Sequence, residues 1–174
     1  MNIHRLNTIL NDRDLLLEKI KEYLDEKIIQ KIEIDDNQIK GHILKAKHNL
    51  KFVNDNIPSG YYDWCITGCY YAIYHAALSL IIIKGYNSKN HDATLCLLIK
   101  EYYKKINPEE LELFNRIYLD YQEILFYVQS KQKREDASYS TQMKFDKTTV
   151  HELRLKSALF IDKVKEILDK SPNL

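Results

Sequence analysis

Cationic and phenolic side chains cluster in the stretch KQKREDASYSTQMKFDK, which begins at Lys131 and carries a net charge of +2. The guanidinium of Arg134 could bind a phosphate group through two parallel hydrogen bonds. Lys133, Asp136 and Tyr139 lie within five residues of Arg134 and could complete a surface for phosphate or RNA. The structural alternative is a solvated loop in which Arg134 forms an exposed pair with Asp136.

Two histidines are candidates for proton transfer. His75 shares one face of a predicted helix with Tyr71, and both could line the rim of a groove near Arg134. A core histidine bonded to a tyrosine or a carbonyl is the structural alternative. His91 lies at a predicted helix start, where the helix dipole disfavours its charged form. It is therefore either a neutral base or a residue of the cap region.

The three cysteines predict no metal site. Cys65 and Cys69 have a spacing that metal ligands share, but no second compact pair of ligands lies nearby. The apolar surroundings of these two residues and of Cys96 favour buried, reduced thiols. The sequence also has no glycine-rich phosphate loop and no serine in the glycine-flanked setting of a nucleophile. We therefore predict neither a metal nor another cofactor.

Length and composition predict one mostly helical domain of 174 residues, since four glycines and three prolines leave little material for turns. The 26 basic and 25 acidic residues exclude a global basic field, so any nucleic-acid binding must be local. The uncharged stretch between Asp63 and Lys84 matches a bilayer in length, but its tyrosines and histidine lie at its centre, which favours a core helix. Without an export signal at the start, we expect a cytoplasmic protein.

Helical periodicity and capping residues predict an all-α fold, an antiparallel bundle of four to five helices with an extra N-terminal helix. Residues 1–34 form the amphipathic N-terminal extension and residues 35–174 the bundle. The predicted helices run from Asp12 to about Gln30, from Asp35 or Asp36 to about Asn56, through the uncharged stretch to Gly85, from His91 to about Lys105, from Asn107 to about Ser130, and from Val150 to before Pro172. Periodicity is lost from Lys131 to Asp146.

Three motifs in order along the chain resemble the HEPN domains of prokaryotes. They are the core-helix stretch CYYAIYHAALSLIIIKG, the turn SKNHDA and the later REDASY, and the resemblance covers about residues 36 to 170. It implies a helical bundle that works as a homodimer and binds RNA or a minimal nucleotidyltransferase partner, as in toxin–antitoxin or defence systems. The groove around Arg134 and Tyr139 would be the binding site. Further binding residues would be Asp136, Tyr71, His91, Lys131 and Lys133.

The resemblance also implies an enzymatic alternative, a metal-independent ribonuclease. Members that cleave RNA carry an arginine followed, after four to six residues, by a histidine, and none of the five arginines here has one. Cleavage through the 2′-hydroxyl needs a proton acceptor near neutral pH and a cation. The nearest counterpart is Arg134 with Tyr139, whose phenol has a reference pKa of about 10. Arg134 would therefore act with His75, His91 or Tyr139. A non-catalytic helical interaction module is the third possibility.

Overall fold

The computed structural model describes residues 8–9, 11–102, 129–137 and 145–171, and helices dominate it. The helices are α1 (Arg13–Asp25), α2 (Asp36–Asn56), α3 (Tyr62–Ile82), α4 (His91–Tyr102) and α5 (Lys147–Asp169). Residues 129–137 are also helical. The predicted all-α fold is confirmed, while the main part of the helix predicted from Asn107 lies outside the described residues.

Side-chain caps explain where the helices begin. Asp35 accepts hydrogen bonds from the backbone N–H groups of the first turn of α2, and Asp146 does the same for α5. Asn90 caps α4 by accepting from Asp92 N at 2.7 Å and from Ala93 N at 3.2 Å. Asp35, Asn90 and Asp146 therefore fix the starts of α2, α4 and α5.

Helix α3 is the central helix of the bundle. It packs against α2, α4 and α5, and its side chains from Ala76 to Ile82 are all buried. By length and composition alone α3 could cross a membrane, but 78% of its most apolar 18-residue stretch is buried inside the fold. The helices around it account for its apolar character, as predicted for a core helix.

The N-terminal region departs from the prediction of a helix reaching about Gln30. Helix α1 ends at Asp25, and Lys27 adopts a left-handed backbone conformation with φ of 57°. The chain then forms strand β1 (Ile29–Lys31), which pairs antiparallel with β2 (Tyr86–Ser88). The helical periodicity gave no sign of these strands, because their pairing joins residues far apart in the chain. The division into residues 1–34 and 35–174 remains a prediction.

The segment after Ser130 also differs from the prediction, since residues 131–137 continue a helix instead of forming an irregular stretch. Ser130 is fully buried, and the side chain of Arg134, one turn later, is 15% exposed. These two residues therefore share the inward face of the segment. The polar composition of the stretch concealed this face, because its inward residues are themselves polar.

Candidate functional site

Arg134 packs inward against the aromatic face of α3. Its Cζ atom lies 5.2 Å from the ring centre of Tyr70, a cation–π arrangement. One terminal nitrogen lies 3.4 Å from a carboxylate oxygen of Glu135, and the buried Nε has no hydrogen-bond partner among the described residues. A buried donor without a partner is unfavourable and marks a place where an acceptor would bind.

His91 joins the same cluster from the start of α4. Its Nδ1 forms a hydrogen bond with the hydroxyl of Tyr70, and its ring centre lies 4.2 Å from that of Tyr74. Burial, and then the charges of Arg134 and Lys131, lower the pKa of His91 to about 4. His91 is therefore neutral at pH 7 and sits beside an arginine. The cap by Asn90 fixes the helix start that presents it.

An ion pair closes one side of the cluster. Lys131 Nζ lies 2.9 Å from Asp92 Oδ1 and 3.7 Å from Glu135 Oε1, and both Lys131 and Asp92 are largely shielded. Burial opposes the charge on Asp92, but hydrogen bonds including that from Lys131 lower its pKa overall. The charges of Lys131 and Arg134 are matched by those of Asp92 and Glu135. Any attraction for an anion must therefore come from local geometry around Arg134.

Lys133 and Asp136, also predicted as binding residues, make their contacts with side chains other than Arg134. Lys133 lies 5.7 Å from the ring centre of Phe145 and lines a shallow depression between the segment and α5. Asp136 is exposed and accepts a 3.4 Å contact from Gln132, so the suggested pair with Arg134 is replaced by the pair of Arg134 with Glu135. Tyr139 lies outside the described residues.

His75 is bonded to another histidine, and not to the tyrosine or carbonyl of the structural alternative. Its Nδ1 lies 2.9 Å from Nδ1 of His42 on α2. Burial, followed by the neighbouring His42 and Lys45, lowers the pKa of His75 to about 4. The ring centre of Tyr74 lies 6.0 Å from that of His75 and 4.2 Å from that of His91. His75 is thus a bonded, half-buried histidine, and His91 is the histidine that accompanies Arg134.

Several members of the cluster were missed as site residues in the sequence. Tyr70 and Tyr74 served only as evidence that the uncharged stretch is a core helix, although their spacing of four residues places both on one face. Asp92 and His42 gave no signal of their own. Their partners, Lys131 and His75, are 39 and 33 residues away in the chain.

The cysteines lie in the apolar interior. Cys65 donates to the carbonyl of Val53 at 3.7 Å, and burial raises the pKa of Cys69 to about 12. Within the described ranges, no group of three histidine, cysteine or acidic side chains could hold a metal ion.

The fold is a helical bundle. Its central helix, α3, is rich in aromatic residues and packs against the helical segment that carries Arg134. These features define a class of α-helical domain. The HEPN domain family matches residues 39–167, and the chain belongs to this family. A protein of Methanocaldococcus jannaschii described as a putative toxin is 27% identical over 126 residues, which cover 72% of this chain and 78% of the relative. The resemblance seen in the sequence motifs is therefore confirmed.

Proposed function

We propose that the protein binds RNA at the cluster of Arg134, Tyr70 and His91, as part of a toxin–antitoxin or related defence system. The observation that carries the proposal is the guanidinium of Arg134, which is held on the ring of Tyr70 while its buried Nε lacks an acceptor among the described residues. Family membership and the toxin-like relative support the system. A phosphate oxygen is an acceptor that suits a planar guanidinium.

Charge at the cluster explains what kind of binding to expect. Because Asp92 and Glu135 offset the two cations, the site attracts polyanions weakly at long range. The Glu135 contact is long, so a phosphate could replace it without breaking a close ion pair. Binding should therefore depend strongly on Arg134 and only moderately on ionic strength.

Fluorescence anisotropy with a labelled single-stranded RNA tests the proposal. Arg134→Ala should weaken binding and reduce the slope of affinity against salt by about one, as expected for one lost phosphate contact. Arg134→Lys should restore the salt slope but only part of the affinity, because lysine lacks the planar fork. Arg13→Ala, which removes an exposed arginine of α1, is the matched control. Equal affinities of Arg134→Ala and Arg13→Ala would contradict the proposal.

A metal-independent ribonuclease is the second candidate, favoured by the neutral His91 beside Arg134. His91 would take the proton of the 2′-hydroxyl as the 2′-oxygen bonds to phosphorus, and Arg134 would stabilise charge on the phosphorane. The P–O5′ bond then breaks, and the departing 5′-oxygen takes a proton from the protonated His91 or from water. Cleavage should persist in a chelator and fall roughly a hundredfold or more in His91→Gln. His48→Gln, on an exposed histidine of α2, should cleave like the parent. RNA that is bound but never cut would leave binding as the function.

The assembly belongs to the same proposal. We propose that the protein is a cytoplasmic homodimer. The alternative to RNA at the Arg134 cluster is a minimal nucleotidyltransferase, bound as a protein partner. Sedimentation velocity measures the oligomeric state, and a monomer at micromolar concentration would contradict the homodimer. Copurification with the product of a neighbouring reading frame tests the partner. Partner binding that survives replacement of both Arg134 and Tyr139 by Ala would favour the non-catalytic interaction module.

A further inference from the structure

A second set of aromatic side chains lies where α2 and α3 pack side by side. The two helices run antiparallel, since His42 meets His75 at one end and Val53 packs against Gly68 towards the other. We name the exposed part of this seam the α2–α3 face. It comprises Lys45, Phe52, Trp64 and Tyr71.

The aromatic side chains of the α2–α3 face are more exposed to solvent than such side chains usually are. The exposed fractions are 65% for Trp64, 41% for Phe52 and 37% for Tyr71, although aromatic side chains of this size are usually buried. Contiguous exposed aromatic groups mark interaction surfaces in soluble proteins. A surface of this kind therefore calls for an occupant.

Gly68 gives the α2–α3 face its shape. A Cβ atom at Gly68 would lie 3.2 Å from Cδ1 of Phe52, so the Phe52 ring lies close above the glycine. Trp64 lies one turn before Gly68 and Tyr71 one turn after it, on the same side of α3. The three rings are therefore neighbours along one line.

The charges beside these rings favour an anionic occupant. Helix α2 contains four lysines and two aspartates, a net charge of +2, while α3 has no charged residue from Trp64 to Ile82. Lys45 is exposed and lies close enough to lower the pKa of both His42 and His75. Lys45 lies two turns before Phe52 and so shares its side of α2, whereas Lys40, Lys47 and Lys51 lie on the opposite side of the helix. Lys45 is therefore the lysine that borders the aromatic line.

We propose that the α2–α3 face binds a single-stranded segment of RNA, with bases stacked on Trp64, Phe52 and Tyr71 and phosphates near Lys45. Sites for single strands combine stacking rings with a basic border in this way. Lysine is depleted from the cores of protein interfaces. A second copy packed on the same face would also bring its own Lys45 towards this one. RNA is therefore the occupant that the chemistry favours.

This inference rests on the proposed function and extends its binding site. The ring of Tyr71 packs edge-on against that of Tyr70 at 5.4 Å, and Tyr70 supports Arg134. Tyr70 therefore contacts both Tyr71 of the α2–α3 face and Arg134 of the cluster. One strand could contact both, with its phosphate at Arg134 and its neighbouring bases on the α2–α3 face.

Trp64 is the single tryptophan of the chain, so its fluorescence reports directly on the α2–α3 face. Titration of the whole protein with an unlabelled oligouridylate should quench this emission, because a stacked base quenches indole. Labelled RNA of the same sequence, followed by anisotropy, measures affinity in parallel. Tyr71→Ala and Phe52→Ala should each weaken binding by about tenfold. Leu159→Ala, which removes a 62% exposed side chain from α5, should leave the affinity unchanged.

The outcomes separate the two proposals. Anisotropy that depends on Arg134, with Trp64 emission unchanged and Tyr71→Ala binding normally, would overturn stacking and leave the proposed function intact. Quenching that depends on Tyr71 but not on Arg134 would support stacking and overturn the Arg134 site. An emission shift that follows protein concentration without RNA would identify a second copy as the occupant and overturn this inference. No response in either signal would overturn both.

Discussion

The hydroxyl of Tyr70 and Nδ1 of His91 form a hydrogen bond that joins the middle of α3 to the first residue of α4. Tyr70 is fully buried, and its ring also supports Arg134. One tyrosine therefore orients both the imidazole and the guanidinium of the cluster. Its replacement should therefore affect both the stability of the fold and the geometry of the cluster.

Replacing Tyr70 by Phe should lower the free energy of unfolding by about 1–2 kcal/mol, because a buried hydrogen bond is lost while the ring remains. Urea denaturation measures this change. Tyr71→Phe is the matched control, since its residue is 37% exposed, and it should change stability by no more than about 0.5 kcal/mol. Equal losses in the two variants would show that the bond to His91 contributes nothing.

Stability should depend on pH through His75 and His91. Folding lowers the pKa of each from 6.5 to about 4, so the unfolded chain binds more protons between these values. These histidines should therefore not lower the free energy of unfolding above about pH 6.5, and they should lower it progressively as the pH falls towards 4. Both side chains are only half-buried, so solvent screening reduces the size of the fall. Urea denaturation at pH 7 and pH 5 measures it.

Histidine variants isolate this effect from the titration of carboxylates. His75→Gln and His91→Gln should each reduce the difference in stability between pH 7 and pH 5. His48→Gln, on the exposed surface of α2, should not. A pH dependence that is the same in all three variants would assign it to other groups.

Gly68→Ala should destabilise the protein by about 1–3 kcal/mol. The added Cβ would lie 2.7 Å from Cγ2 of Val53, which is fully buried and has no room to move away. Gly41→Ala is the control, because nothing lies within 4 Å of its Cβ position in α2. That variant should gain up to about 1 kcal/mol from helix propensity. Thermal or urea denaturation of the pair checks the opposite signs.

The ion pair of Lys131 and Asp92 should contribute more than a surface pair. A double-mutant cycle with Lys131→Gln and Asp92→Asn should give a coupling of about 1 kcal/mol or more, since the side chains are only 17% and 24% exposed. The Lys51–Asp55 pair, with exposures of 72% and 56%, should give about 0.3–0.5 kcal/mol. Equal coupling energies for the two pairs would show that Lys131 contributes no more to stability than a surface lysine.

Local features of the fold could be predicted from the sequence, because local chemistry decides them. Asp35 and Asn90 cap helices through contacts with residues two and three positions away. The buried position of α3 follows from its uncharged composition. The sequence motifs also identified the family over most of the chain.

The site could be predicted only in part, because its geometry depends on contacts between distant residues. Arg134 was identified by its type and its motif, but its support on Tyr70 spans 64 positions of the chain. The pairing of His75 with His42 depends on how α2 and α3 align. No sequence period reports that alignment.

The two-stranded pairing of β1 with β2 has a consequence for shortened forms of the protein. The backbone of Lys89 donates to the carbonyl of Ile28, so the N-terminal region braces the turn that leads into His91. A chain beginning at Asp35 would lack β1. The backbone groups of β2 and Lys89 that bond to the N-terminal region would then bond to water instead. Such a truncation would therefore make the position of the His91 imidazole less well fixed, although the removed residues do not contact it. A loss of RNA affinity in the shortened chain would then not prove that the removed residues contact RNA.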